Sequence, residues 1–205
     1  MITLYYFPLS QHSRRVVSLL EEAGIEYQAH LVNMMEGDHM SEEYMAINPN
    51  HQVPSLVDED ICLHESNVIM RYLCDKFQLS NWYPKAIEQR ALVEQWLDWG
   101  QCRFAPVVKD IVFNMLFAEK AGLKPDQDAI IKAQENLIAL ANILEKHLAK
   151  HPYLAGNHAT IADLALASNM FHLSLAKQQP STPALQAWYT KIAGLKGFQK
   201  SLPEF

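Results

Sequence analysis

Hydrophobic and polar positions change period several times over the first 80 residues of this chain, then settle into a single period. Ile2–Tyr6 is β-branched and aromatic, which predicts a strand. After the turn Pro8-Leu9-Ser10, Val16, Val17, Leu20 and Ala23 recur at helical spacing, and Gly24 suits the left-handed residue that closes a helix. Tyr27–Val32 reads as a second strand, Glu36-Gly37-Asp38-His39 as a loop, and 41–46 as a short helical piece. Pro54–Val57 and Ile61–Leu63 predict two short strands across the acidic turn Asp58-Glu59-Asp60. Val68, Ile69, Tyr72, Leu73 and Phe77 then mark a core-facing helix. The order is βαβ, then a ββ hairpin and a helix. A right-handed crossover makes the first two strands parallel neighbours, whereas the hairpin is antiparallel.

Beyond a connecting segment at 78–85 the pattern is helical throughout. Residues 86–118 predict one long helix or two, bent at Pro106. Ile130, Gln134, Leu137, Ala141, Leu144 and Leu148 form one helical face with a single polar exception. Thr160-Ile161-Ala162-Asp163 is a capping-box start for a helix to about Ala176, and Ala184–Ala193 is a further short helix. The pattern therefore predicts an α/β N-terminal domain over 1–79, with a mixed four-stranded sheet, and an all-helical C-terminal domain over 86–205.

Composition narrows the classes. Of 205 residues, 49% are hydrophobic and 20% charged, an ordinary globular balance with room for two cores. A net charge of −6, from 17 basic and 23 acidic side chains, argues against nucleic acid or an anionic membrane surface as the main partner. No apolar run reaches the ~18 residues of a membrane span, and Met1 leads directly into a strand without a signal peptide. Cys62, Cys74 and Cys102 form neither a CxxC nor a disulfide framework, so a cytoplasmic protein with reduced thiols is expected. The nine histidines show no metal-ligand spacing, and no metal is expected.

Two stretches carry chemistry. In Asn48-Pro49-Asn50-His51-Gln52-Val53-Pro54-Ser55-Leu56, Pro54 enters a strand and forces Val53 to be extended. Val53's N–H and C=O then form a free edge beside His64-Glu65-Ser66, where a helix begins. A peptide-like anionic ligand suits such a place. Ser10-Gln11-His12-Ser13 lies where the first strand turns into the first helix. In thioredoxin-like folds this corner holds a CxxC whose thiol is acidified by the helix N-terminus. Serines at both positions leave the corner without a sulfur, which makes sense if a ligand brings the thiol and Ser10 donates a hydrogen bond to its thiolate. A serine here is also an ordinary N-cap, and Glu65-Ser66 an ordinary acidic helix start.

With these residues in order, the chain resembles the cytosolic glutathione S-transferase family over nearly its full length. It is most similar to the serine-dependent theta, delta and phi-like classes and their bacterial relatives. Ser10 with Arg14 matches the family's first-turn motif, and Gln52-Val53-Pro54-Ser55-Leu56 and Glu65-Ser66 match its x-V-P-x-L and E-S elements. The resemblance implies a thioredoxin-like N-terminal domain and a cis Pro54, with Val53 pairing strand-like to the cysteinyl part of glutathione. It implies that Glu65 and Ser66 hold the γ-glutamyl end, that His39 and His51 lie near the glycyl carboxylate, and that Thr160–Asp163 is structural. Ser13 is the competing serine, since zeta-like isomerases use an S-S-C turn, but this chain lacks that cysteine. Asn67 stands where delta-like members often have arginine after E-S, so one anchoring charge is missing.

The implied activity is conjugation of the glutathione thiolate to a hydrophobic electrophile, with glutathione as co-substrate and a homodimer as the assembly. The electrophile would sit against the helix starting near Ile87, with Gln101, Arg103, Phe104, Val108 and Phe113 as candidate lining. Glutathione-dependent reduction or isomerisation on the same thiolate is a sibling reading. A non-catalytic binding protein is the alternative, since stringent-starvation-like proteins resemble this fold and bind RNA polymerase instead.

Overall fold

A computed structural model describes residues 1–204. By internal contacts the chain divides into two compact units, Met1–Tyr83 with the segment from Gly194 onward, and Pro84–Ala193. The sequence reading runs the helical domain from 86 to 205; the contacts group the described residues from Gly194 onward with the first unit.

The first unit is built on strands β1 (Ile2–Tyr6), β2 (Gln28–Leu31), β3 (Ser55–Asp58) and β4 (Ile61–His64) in the order β2-β1-β3-β4. β1 and β2 are parallel, and both the β1–β3 and β3–β4 pairs are antiparallel, as the predicted crossover and hairpin require. Helix α1 (Gln11–Ala23) is closed by Gly24 at φ 66°, a left-handed conformation that costs glycine no Cβ clash. A 3-10 turn at Asp38–Met40 precedes α2 (Glu42–Ile47), and α3 (Ser66–Lys76) follows β4. Ile2, Leu4, Val16, Leu19, Leu20, Leu56, Ile69, Met70 and Leu73 are buried, the apolar set expected of a sheet covered by amphipathic helices. Strand alternation sends Tyr5 the other way, into a cluster with Val32, Tyr44 and Val53.

In the second unit, α4 (Ile87–Trp99) continues through a π-helical turn (Gly100–Phe104) into α5 (Ala105–Val112) and a second π-helical turn (Phe113–Phe117). Pro106 has no N–H to return to the preceding turn. The ladder widens just before it, with the Ala105 N–H reaching back five residues to Gly100 O. Helices α6 (Gln127–Leu148), α7 (Ile161–Leu175) and α8 (Pro183–Ala193) complete this unit, and α9 (Lys196–Lys200) belongs to the first. The capping box is present. Asp163 accepts from the Thr160 N–H at 2.9 Å and from the Thr160 hydroxyl, the Leu154 N–H and the Trp188 indole at 2.8–3.0 Å. Burial pushes this carboxyl's pKa up, while those four donors favour its ionised form. Among the described residues, no helix is long and apolar enough to cross a membrane.

Candidate functional site

Sheet register gathers the predicted residues. Tyr5 on β1 pairs with Ser55 on β3, and Ser55 pairs with His64 on β4, so the three strands share one row at one end of the sheet. Immediately beyond that row the chain runs to Ser10 from β1, back to Val53–Pro54 from β3, and on to Glu65–Ser66 from β4. Three segments distant in sequence thus leave the sheet on the same side.

Ser10 is the N-cap of α1, and its Oγ accepts the His12 and Ser13 N–H groups, each at 3.2 Å. Both contacts use the oxygen as acceptor, so the hydroxyl proton remains to be donated. No acidic side chain occupies the first turn of α1, so its positive end is not offset. The turn is stapled by Arg14, which donates to the carbonyls of Pro8 and Leu9 at 3.3 Å each. Ser13 is fully buried and its Oγ accepts the Phe7 N–H at 3.2 Å. The chain's own thiols offer little nucleophilicity in this unit: burial pushes Cys74 up to about 12 and also raises Cys62.

The 48–55 loop is held by polar groups buried beneath it. The Tyr44 hydroxyl and the Asn48 amide both donate to Gln52 O, at 2.6 and 2.7 Å, and both reach Ser55 Oγ at 3.0–3.1 Å. Burial raises the Tyr44 phenol, so it stays a neutral donor. The Val53–Pro54 peptide is cis. Among the described residues, the Val53 N–H and C=O have no hydrogen-bond partner. His51 stands at φ 55°, with its Nδ1 3.4 Å from His39 O, so the two predicted histidines are adjacent. Gln52 is exposed.

Glu65, the N-cap of α3, has φ 71° and ψ 104°, a sparsely populated backbone region for a non-glycine residue, and makes no side-chain cap bond. Its exposed carboxylate lies 4.0 Å from His64 Nδ1. Ser66 and Asn67 are buried, in a first turn that carries no acid and whose leading N–H groups have no intrahelical acceptor. Asn67 Oδ1 accepts from Arg15 Nη1 at 2.9 Å, tying the start of α3 to α1.

The sequence reading assigns no separate role to Arg15, Tyr44 or Asn48. Arg15's signal was two adjacent arginines leading into the apolar run Val16-Val17; the loop anchors have no spacing signature. Of the candidate electrophile contacts, Phe104 and Val108 are fully buried core residues of the second unit, Gln101 and Phe113 are half-buried, and Arg103 is exposed. A cavity of about 430 Å³ in the first unit is lined by Tyr6, Arg14, Val17, Tyr27 and residues 200–204, and by none of the predicted ligand residues. Among the described residues, no three His, Cys, Asp or Glu side chains group as a metal site.

Comparison with known proteins places the fold in a family. Residues 1–75 match the glutathione S-transferase N-terminal domain, and residues 103–196 match the C-terminal domain. The chain is 36% identical to glutathione S-transferase F10 of Arabidopsis thaliana, across 80% of this chain and 78% of that protein. Glutathione transferase F2 of Populus trichocarpa superposes with a TM-score of 0.90 at 30% identity, covering 98% of this chain and 97% of the other. Human glutathione transferase theta-2, solved with glutathione and an unknown ligand, superposes at 0.91 with 26% identity, covering 98% and 86%. A four-stranded thioredoxin-like unit, a helical unit and both family domains in order make the chain a member of the glutathione S-transferase family.

Proposed function

We propose that this protein conjugates the thiolate of glutathione to small hydrophobic electrophiles, with Ser10 holding the thiolate. The observation that carries the reading is the shared row Tyr5–Ser55–His64, which sends Ser10, Val53 and Glu65–Ser66 off the same end of the sheet. Val53, just before the start of β3, has an N–H and C=O without a hydrogen-bond partner among the described residues, suited to pairing with the cysteinyl backbone. Glu65 pairs with the α-ammonium of the γ-glutamyl group, and Ser66 with the first-turn N–H groups of α3 takes its α-carboxylate. His39, His51 and Gln52 face the glycyl end.

In the reaction, the Ser10 hydroxyl donates to the glutathione sulfur and the α1 N-terminus adds its positive field, so the thiol loses its proton more readily. The sulfur lone pair then forms a C–S bond at the electrophilic carbon. In a substitution the leaving group departs with its bonding pair; in an addition the electrons pass into the acceptor, which later takes a proton. Holding the two reactants together supplies the remaining rate gain. Ser13 is a poor alternative donor because it is fully buried. Assembly as a homodimer follows the family habit and is checked by sedimentation.

A glutathione-affinity resin tests the reading. The folded protein is expected to bind and to elute with free glutathione. Failure to bind would instead favour a non-catalytic protein that keeps only the fold.

A further inference from the structure

Resting on the proposed glutathione site, we propose that Arg15 is the positioning residue of the γ-glutamyl subsite, supplying from α1 the positive charge that Asn67 does not carry on α3. Arg15 is 1% exposed, so its guanidinium does not compete for solvent-borne ligands. It donates to Asn67 Oδ1 at 2.9 Å across 52 residues of sequence, joining the helix that begins at Ser10 to the one that begins at Ser66. Glu65 precedes Ser66 and is near enough to act on the guanidinium electrostatically. A guanidinium taken out of water needs compensation. Burial pulls this one down to about 10 and the Glu65 carboxylate pulls it back, so it stays charged at neutral pH.

The arrangement is a charge pair waiting for a second charge pair. Glu65 at the N-cap of α3 and Arg15, bound to Asn67 in its first turn, bring opposite signs to the start of one helix, and the head of a γ-glutamyl group carries an ammonium and a carboxylate. Glu65 attracts the ammonium; Arg15, acting through Asn67 and the low-dielectric interior, favours the carboxylate and disfavours ligands that lack it. Asn67 is therefore not simply a lost anchor. As a neutral acceptor it fixes the fork without neutralising it, whereas an arginine there would place two like charges together.

The test is calorimetric binding of glutathione and of γ-aminobutyryl-cysteinylglycine, which keeps the amine but lacks the α-carboxylate. Arg15→Gln is expected to weaken glutathione about tenfold and the analogue less than about twofold, a change in discrimination that a merely structural role would not produce. Arg15→Lys, which keeps the charge, should restore most of the discrimination. If Arg15→Gln does not fold, Arg15→Met, neutral and of similar reach, takes its place and should give the same selective loss. Equal weakening of both ligands, or no weakening, overturns the role of Arg15 while leaving the glutathione site intact. Absence of glutathione binding by the unmutated protein overturns the site itself, and the proposal with it.

Discussion

Ser10 caps α1 through its oxygen, so that structural use and the proposed donation to a thiolate separate by substitution. Alanine at an N-cap costs about 0.5–2 kcal/mol, whereas glycine costs only a few tenths. Ser10→Ala is thus expected to lower the urea midpoint measurably and Ser10→Gly hardly at all. Both variants should lose the ultraviolet thiolate absorbance of bound glutathione at neutral pH, since each pKa unit reflects ~1.4 kcal/mol of preference for the charged form. A Ser10→Gly protein that kept its thiolate signal would require another donor. The cap was legible because a serine at a strand-to-helix turn is a local signal. Tyr44 and Asn48 were not, because their work is to meet at Gln52 O and Ser55 Oγ, a convergence that exists only after folding.

Elements with a local signature were read to within a residue or two: β1 and α7 appear where the β-branched and aromatic run and the capping box put them. Elements defined by contact were not. Helix α9 is only five residues long and depends on what it touches. The Gly197 N–H donates to Glu22 at 2.6 Å, and Ser201 meets Ser18 at 2.9 Å inside the first unit. A Cβ on Gly197 would lie 2.3 Å from Glu22 N and 2.4 Å from Ser18 O, both backbone atoms that cannot step aside. Gly197→Ala is expected to destabilise by about 1–3 kcal/mol, as overpacking does, read from the urea midpoint. A second contact joins β3 to α3, where Asp58 accepts from Tyr72 at 2.6 Å and from Lys76. The hydrogen bond from Lys76, then that from Tyr72, hold the Asp58 carboxyl below its usual range. A depressed carboxyl adds stability above its unfolded pKa of about 3.9 and loses it as pH falls through the lower folded value. The melting-temperature gap between wild type and Asp58→Asn should therefore be constant above roughly pH 5 and close below about pH 4. A gap independent of pH would show that the ionised carboxylate is not what matters.

At the scale of the molecule, the two-part plan was visible as a change of period near residue 80, but not the return of the chain's end to the first unit. Periodicity marks where an element lies and not which core it joins. The proposed ligand residues lie in the first unit, so a bound glutathione should leave its mark there. A ligand at 100 times its Kd stabilises the folded state by about 2.7 kcal/mol, whichever residues it touches. Location needs hydrogen exchange instead. The Val53 N–H has no partner among the described residues, so it should exchange quickly in the free protein and slow at least about tenfold with glutathione bound, because strand-like pairing gives it an acceptor. The leading N–H groups of α3 should slow with it as the α-carboxylate arrives. The interior of α6, already hydrogen-bonded along 22 residues, should change little beyond the global stabilisation. Protection at α3 without protection at Val53 would mean that the ligand is held by its γ-glutamyl end alone. The cysteinyl sulfur would then lack the backbone pairing that aims it at Ser10, and the proposed chemistry would lose its geometry.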